Sequence, residues 1–300
     1  MRKSAKLWLV IAGCLVLIGC IIMGGVLHML NWDFSKLSTV KYETNHHEIT
    51  QAFSNISVET NTADITFALS TDGKCRVECY EETKEKHLVT VENGTLHIKR
   101  ASQKAWYDYI GINFRSPKIK VYLPETEYAA LSIRGSTADV TLPKDFQFET
   151  VAVLLSTGDI RVSASASASM KIKTTTGNIC VENATIGNLG LHVTTGNTFL
   201  TNVTCATLTS EGDTGDITLN NVIATGKMEI ERSTGNVKFN DADAAEISVE
   251  TDTGDVTGGL LSDKIFFVET DTGRVNVPHS TTGGRCQIET DTGNIKITVK

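Results

Sequence analysis

The sequence has no Cys-x-x-Cys pair and no His-x-x-x-His spacing, which excludes the common zinc frameworks. Its seven cysteines do not form a disulfide scaffold either. Cys14 and Cys20 fall in an apolar N-terminal run. Cys75 and Cys79 flank Val77 on one face of a strand-like alternation, ~13 Å apart and too far to bridge. Cys286 stands in an apolar column and reads as a small core residue, whereas Cys180 faces outward. This cysteine usage suits a bacterium that does not rely on extracellular disulfides. Serine-nucleophile motifs, P-loops and dinucleotide fingerprints are missing. Positive charge is in deficit: the formal net charge is −7 and no basic stripe offsets it, which excludes nucleic acid as the main partner.

What is present is a repeat. A Thr-Gly-Asp/Asn motif recurs with its glycines at Gly158, Gly177, Gly196, Gly215, Gly235, Gly254, Gly273 and Gly293, 19 or 20 residues apart. Ala138 takes the place of an earlier glycine. A period this constant means one unit stacked on copies of itself. Two and four residues after each glycine the positions are mostly aliphatic, as in Ile160 and Val162 or Ile217 and Leu219. Seven and five before it they are again apolar, as in Met170 and Ile172 or Ile247 and Val249. Period-two alternation on both sides of a Thr-Gly bend predicts two strands per repeat and fits no helix.

Such a unit cannot bury its apolar face alone. Coiling the chain sets each strand beside its equivalent in the next coil, parallel and ~4.8 Å away, so that identical side chains form ladders. The Asp/Asn column after the glycine suits a ladder of amide on amide. Asn183, Asn202, Asn221 and Asp241 form a second polar column that marks another corner, and the SASASAS run 163–169 reads as a narrow part of one coil. The predicted fold is all-β: a single-chain parallel β-solenoid of about 8–9 coils over residues 136–300, a rod of ~40 Å. Residues 50–135 are expected to form an irregular β N-terminal cap, with one echo of the motif at Asn61-Thr62-Ala63-Asp64 and a hairpin at Asn93-Gly94. The last strand ends at Lys300 without an evident cap, with Lys296 and Lys300 placed to discourage edge pairing.

Leu7 to Leu30 has no formal charge beyond His28 and, as a helix of ~36 Å, is long enough to cross a bilayer. Arg2, Lys3 and Lys6 precede it, so residues 1–6 are expected in the cytoplasm, 7–30 as a transmembrane anchor, 31–49 as a linker and the remainder outside the plasma membrane. Cys20 after Leu17-Ile18-Gly19, and Cys14 after Ile11-Ala12-Gly13, leave a lipoprotein as an alternative, and cleaved secretion is another. The apolar run continues past Cys20, which favours the uncleaved anchor.

The sharpest surface feature is acidic. Glu211, Glu231, Glu250, Glu269 and Glu289 stand four residues before a glycine, and Asp213, Asp252, Asp271 and Asp291 stand two before. Stacked coils turn them into a carboxylate ribbon with neighbours ~5 Å apart, either a solvated face or a site for cations and cationic peptides. Asp252-Thr253-Gly254-Asp255 bears a faint likeness to calcium-binding repeats, but the period is wrong and threonine is a poor ligand there, so a structural turn is expected and no cofactor. His46-His47-Glu48 cannot converge on one metal without further ligands and reads as a linker or strand start. Trp106-Tyr107-Asp108-Tyr109-Ile110 is expected to plug the open end of the solenoid. Coils of nearly equal length leave no inserted loops to build a catalytic cleft, so no enzyme is expected; a polysaccharide-active β-helix is the remote alternative.

The basic N-terminus, the apolar span, Phe53-x-x-Ile56-x-Val58, Ile119-x-Val121-x-Leu123-Pro124 and the serial Thr-Gly-Asp/Asn-Ile/Val repeats together closely resemble a bacterial family. That family is described as putative adhesin, β-strand repeat proteins, domain of unknown function 4097. The resemblance covers nearly all of residues 40–300 and implies an envelope-exposed β-solenoid, often encoded near regulators of envelope stress. No catalytic residue transfers, because the family has no defined site. Ala138, Arg274 and Gly258 depart from its pattern without removing the fold. The expected function is a membrane-anchored binding module for an envelope protein or wall polymer. The alternative is an envelope-stress component that captures cationic peptides or cations on the acidic ribbon.

Overall fold

The computed structural model describes residues 3–33, 36, 40–101 and 115–300. The aromatic run 106–110 lies outside these residues. One helix, Lys3–Met29, contains the apolar stretch Lys6–Met29, which is long and apolar enough to cross a membrane. Among the described residues, the strands join in one continuous sheet that winds into a solenoid.

The repeat predicts the winding. Val153 lies in register between Ile133 and Ile172, and Val249 aligns with Ile230, with all neighbouring coils parallel. Inward columns such as Ile172, Leu191, Ile230 and Val249 are fully or almost fully buried and form one continuous core. Ala164 and Ala166, from the SASASAS run, have no exposed surface, as a narrow coil requires.

The bend glycines are needed because coils approach closely there. A Cβ on Gly196, at φ +144°, would sit 2.0 Å from the Gly177 carbonyl oxygen. The Gly196 N–H instead donates to the Thr214 carbonyl of the next coil at 2.9 Å. At the other corner Asn183, Asn202, Asn221 and Asp241 take φ of 53°, 54°, 52° and 59°, a left-handed turn that Asn and Asp tolerate. Their amides bond up the stack, Asn202 Nδ2 to Asn183 Oδ1 at 2.9 Å and Asn221 Nδ2 to Asn202 Oδ1 at 3.0 Å.

The Asp/Asn column after the glycine keeps part of the expected side-chain ladder, with the amides of Asn178, Asn236 and Asn294 donating to the Asp Oδ1 of the adjacent coil at 3.3, 3.1 and 3.1 Å, and adds a backbone contact. Its side-chain oxygens accept the backbone N–H of the next coil: Asn197 to Asn178 Oδ1 at 2.9 Å, Asp216 to Asn197 Oδ1 at 2.8 Å, Asn236 to Asp216 Oδ1 at 2.8 Å. Only an oxygen is required, so Asp and Asn alternate freely.

The stacking order departs from chain order at both ends. The strands Gly284–Thr292 and Ile295–Val299 slot between the Gly254 coil and the Gly273 coil, pairing in parallel with both. The re-entry runs through Gly283 and Gly284, where a Cβ would meet the Asp263 and Ala245 carbonyl oxygens at 1.8 and 2.0 Å. The open edge therefore belongs to Lys264–Thr272 and Val275–Asn276, not to the chain's last strand as expected. Lys296 lies opposite Asn276 and Thr257 inside the stack, and Lys300 pairs with Asp241 at 2.6 Å. Arg274, the one cation in the Asp/Asn column, stands on that outermost coil, where no further coil needs an acceptor.

At the other end, Asn55–Thr60 and Asp64–Leu69 form a true coil bending at Ala63, inserted between the Ala138 coil and one made of Thr95–Arg100 and Lys118–Leu123. Two windings thus lie within the region expected to be only a cap. Antiparallel strands cover this end: Cys75–Glu82 on Lys118–Leu123, Tyr42–Ile49 on Cys75–Glu82, and His87–Glu92 on Thr95–Arg100. Tyr42–Ile49 falls in the segment expected as linker. The expected hairpin turns at Asn93 and Gly94, both at positive φ.

One interior site breaks the aliphatic pattern. Arg232 is 2% exposed, its Nη2 2.8 Å from Ser210 Oγ and 3.4 Å from Thr198 Oγ1, its Nη1 3.1 Å from the Ser210 carbonyl. A Cβ on Gly212 would come 2.9 Å from Nη1. Thr198, Ser210 and Gly212, each an exception in an otherwise larger or apolar column, converge on this guanidinium. Burial pulls its pKa down to about 10, which leaves it charged at neutral pH.

Candidate functional site

The outward face just before the bends gathers the acidic columns. In the column four residues before each bend, Glu211 aligns with Glu231, Glu231 with Glu250, Glu250 with Glu289, and Glu289 with Glu269. The five glutamates are therefore contiguous, but with Glu289 between Glu250 and Glu269 because the Gly293 coil is slotted in. Asp213, Asp252, Asp291 and Asp271 run beside them, interrupted by Ser233. All nine acidic side chains are exposed. His192 Nδ1 stands 3.3 Å from Glu211 Oε2, and the Gln287 amide donates to Glu289. Among the described residues, no cationic group lies within 4.0 Å of the other seven carboxylates.

Followed toward the N-terminal end, the same column changes sign. Glu211 aligns with His192, His192 with Lys173, Lys173 with Leu154, Leu154 with Arg134, and Arg134 with Glu59. Lys99 stands opposite Glu59, one position past the Val58–Ile98 pair. The companion column changes from Ser136, Ser156 and Thr175 to aspartates. Here the wall opens into a groove of about 860 Å³, lined among others by Lys99, Arg100, Arg134 and Lys173. Sequence reasoning missed this basic end. Arg134 and Lys173 do stand four residues before Ala138 and Gly177, but Lys99 joins them only through the inserted coil.

The glycines Gly158, Gly177, Gly196, Gly215, Gly235, Gly254, Gly273 and Gly293 lie at the bends beside this face and shape it without supplying ligands. Asp255, considered for calcium, has its Oδ1 engaged by the Asn294 N–H at 2.7 Å and the Asn294 amide at 3.1 Å. His46 Nδ1 stands 3.5 Å from Glu78, and His46 and His47 alternate across Tyr42–Ile49.

A further cluster was not anticipated: Cys79, Glu81 and His87 are buried with ligand atoms within 4.8 Å of one another. Glu81 already accepts the His87 N–H at 2.7 Å, His87 Nδ1 at 2.6 Å and Asn45 Nδ2 at 2.7 Å. Burial raises the Glu81 carboxyl, but the hydrogen bonds from His87 and Asn45 outweigh it and hold it below the usual carboxylate range. Burial pushes the Cys79 thiol up to about 12, so it stays protonated. The cluster ties the strands of the cap together. Among the described residues, Glu59 is the one carboxylate lining the large groove, so they set no pair of acids there for hydrolysis.

Solved structures resemble the chain at low identity. A putative adhesin from Bacteroides fragilis shares 18% identity over 86% of this chain and 97% of its own, with a TM-score of 0.47. A putative adhesin from Parabacteroides distasonis shares 12% over 87% and 98%, with a TM-score of 0.45. A putative lipid binding protein from Parabacteroides distasonis shares 14% over 85% and 97%, with a TM-score of 0.42. No curated protein matches the chain significantly. The family described as Toastrack DUF4097 matches residues 53–298, nearly the whole chain beyond the helix, and the protein belongs to that family.

Proposed function

We propose that this protein is a membrane-tethered, non-enzymatic binding rod whose acidic ribbon takes cationic partners, a basic peptide or the basic stretch of another envelope protein. In this reading Lys3–Met29 is an uncleaved single-pass anchor with its N-terminus in the cytoplasm, because Arg2, Lys3 and Lys6 precede the apolar stretch. The solenoid then stands on the outer side of the plasma membrane.

The observation that carries the reading is the column Glu211, Glu231, Glu250, Glu289, Glu269, in register on adjacent coils. Neighbouring unit charges ~5 Å apart repel by about 1 kcal/mol even in water. A ligand bearing several cations relieves every pair at once, and the flat ladder suits an extended chain. Attraction of this kind speeds encounter and weakens with salt.

The test uses the full chain in phosphatidylcholine nanodiscs and a labelled decalysine peptide. Saturable binding is expected, weakening steeply from low to physiological salt and at least ten-fold weaker in a Glu250→Gln/Glu289→Gln/Glu269→Gln variant. Equal binding by wild type and variant would overturn the acidic-ribbon reading.

A further inference from the structure

The basic end of the same face carries a second inference, independent of the acidic ribbon. Among the described residues, the groove of about 860 Å³ is lined by Lys99, Arg100, Arg134 and Lys173 against the single carboxylate Glu59. This local surplus of cations belongs to a protein whose net charge is −7. Among the described residues, no carboxylate lies within 4.0 Å of the side-chain nitrogens of Lys99, Arg134 or Lys173. Arg100 makes one long contact, 3.4 Å to Glu85 Oε1. Lys99 and Arg134 flank Glu59 in one column and Lys173 stands two coils beyond Arg134, so the groove carries more positive charge than its one carboxylate offsets and attracts an anion.

The shape and the remaining groups narrow the anion. Gly135, Ser136 and Ser156 line the groove and keep it open, and the serines and Thr175 bring hydroxyl groups to its walls. Arg134 and Lys173 lie two coils apart, ~10 Å, with Leu154 aligned between them. A guanidinium fork, ammonium groups and hydroxyls around an open trough are the donor set that recognises phosphate oxygens. A row of such donors suits a ligand with more than one phosphate.

We propose that this groove binds phosphate or phosphodiester anions. Two sources present that chemistry: headgroups of the bilayer that carries the helix, and a soluble phosphate polymer. No more than twelve residues separate Met29 from Tyr42, a reach of ~40 Å, so the basic end of the rod stays near the membrane surface if the helix spans it.

The probe is labelled inorganic polyphosphate, titrated against the full chain in phosphatidylcholine nanodiscs. Saturable binding is expected, at least ten-fold weaker in Arg134→Gln/Lys173→Gln. A Lys238→Gln/Lys296→Gln variant removes the same charge from exposed positions outside the groove and is expected to change affinity less than two-fold. Thermal melts of both variants establish that each is folded. A second titration replaces part of the phosphatidylcholine with phosphatidylglycerol. A ten-fold loss of apparent polyphosphate affinity there identifies lipid headgroups as the occupant, and unchanged affinity identifies the soluble anion. Absence of polyphosphate binding, or equal loss in the two variants, overturns the proposal.

Discussion

The backbone N–H of Asn294 donates to Asp255 Oδ1 at 2.7 Å, across 39 residues, where the equivalent bond in the middle of the rod spans 19 or 20. That bond exists only because the last coil is slotted beside the Gly254 coil. It also shows what the ladder asks of each position: one side-chain oxygen for the coil that follows. Asn197→Asp keeps that oxygen and is therefore expected to cost no more than about 1 kcal/mol, the repulsion from Asp216 one coil away. Asn197→Ala, which orphans the Asp216 N–H, is expected to cost about 1–2 kcal/mol in urea unfolding. Arg274→Ala, on the outermost coil, is expected to change stability by less than about 0.5 kcal/mol.

Two glycines to alanine separate close approach from mere flexibility. In Gly196→Ala the new Cβ meets the Gly177 carbonyl oxygen and the backbone stands at positive φ, so a loss of about 2–4 kcal/mol is expected. Gly190 has nothing within 4 Å of its ideal Cβ and no positive φ. There alanine is expected to be neutral or stabilising by up to about 1 kcal/mol. Chemical denaturation of the two variants checks the contrast.

Arg232 forecasts strong non-additivity. Ser210→Ile alone removes an acceptor from a buried guanidinium that cannot reach water, and a loss of about 3–5 kcal/mol is expected. Combining it with Thr198→Ile and Arg232→Thr restores the pattern of the neighbouring coils, where Thr174 and Thr251 bond the preceding bend carbonyl at 3.3 Å. The triple variant is expected to be at least as stable as wild type.

The Glu81–His87 pair makes the cap acid-sensitive. The carboxyl pKa of Glu81 is lower in the folded cap than the 4.5 of an unperturbed glutamate. Its contribution is thus fully present above that value and is lost as the pH falls through the folded one. Hydrogen exchange at His87–Glu92 is expected to quicken as the pH drops below about 4.5, after correction for intrinsic rates. Glu81→Gln should raise exchange there at pH 7 and flatten the acid dependence.

Much of this was legible from residues alone, because stacking repeats each position's chemistry in every coil. Gly158 to Gly293, the Asn183 corner and the glutamates all announced themselves by recurring. What stayed hidden depends on which coil touches which. Periodicity gives the contents of a coil but not its neighbour, so the slot between Gly254 and Gly273 was invisible, although Arg274 and the Gly283-Gly284 pair were its traces. Arg232 and Gly212 share one column of the repeat while Ser210 and Thr198 stand in others, and only the stacking of coils joins them. The basic groove needed Lys99, which the lack of a strict period before residue 136 and an inserted coil keep apart from Arg134 in the sequence.

Spin labels at cysteines introduced in the glutamate column test the stacking on which both charged surfaces depend. Dipolar broadening in continuous-wave spectra is expected to be strong for the 250/289 and 289/269 pairs, one coil apart at ~5 Å, and weaker for 250/269, two coils apart at ~10 Å. Strongest coupling between 250 and 269 would contradict the slotted order. No coupling in any pair would remove the parallel ladder itself.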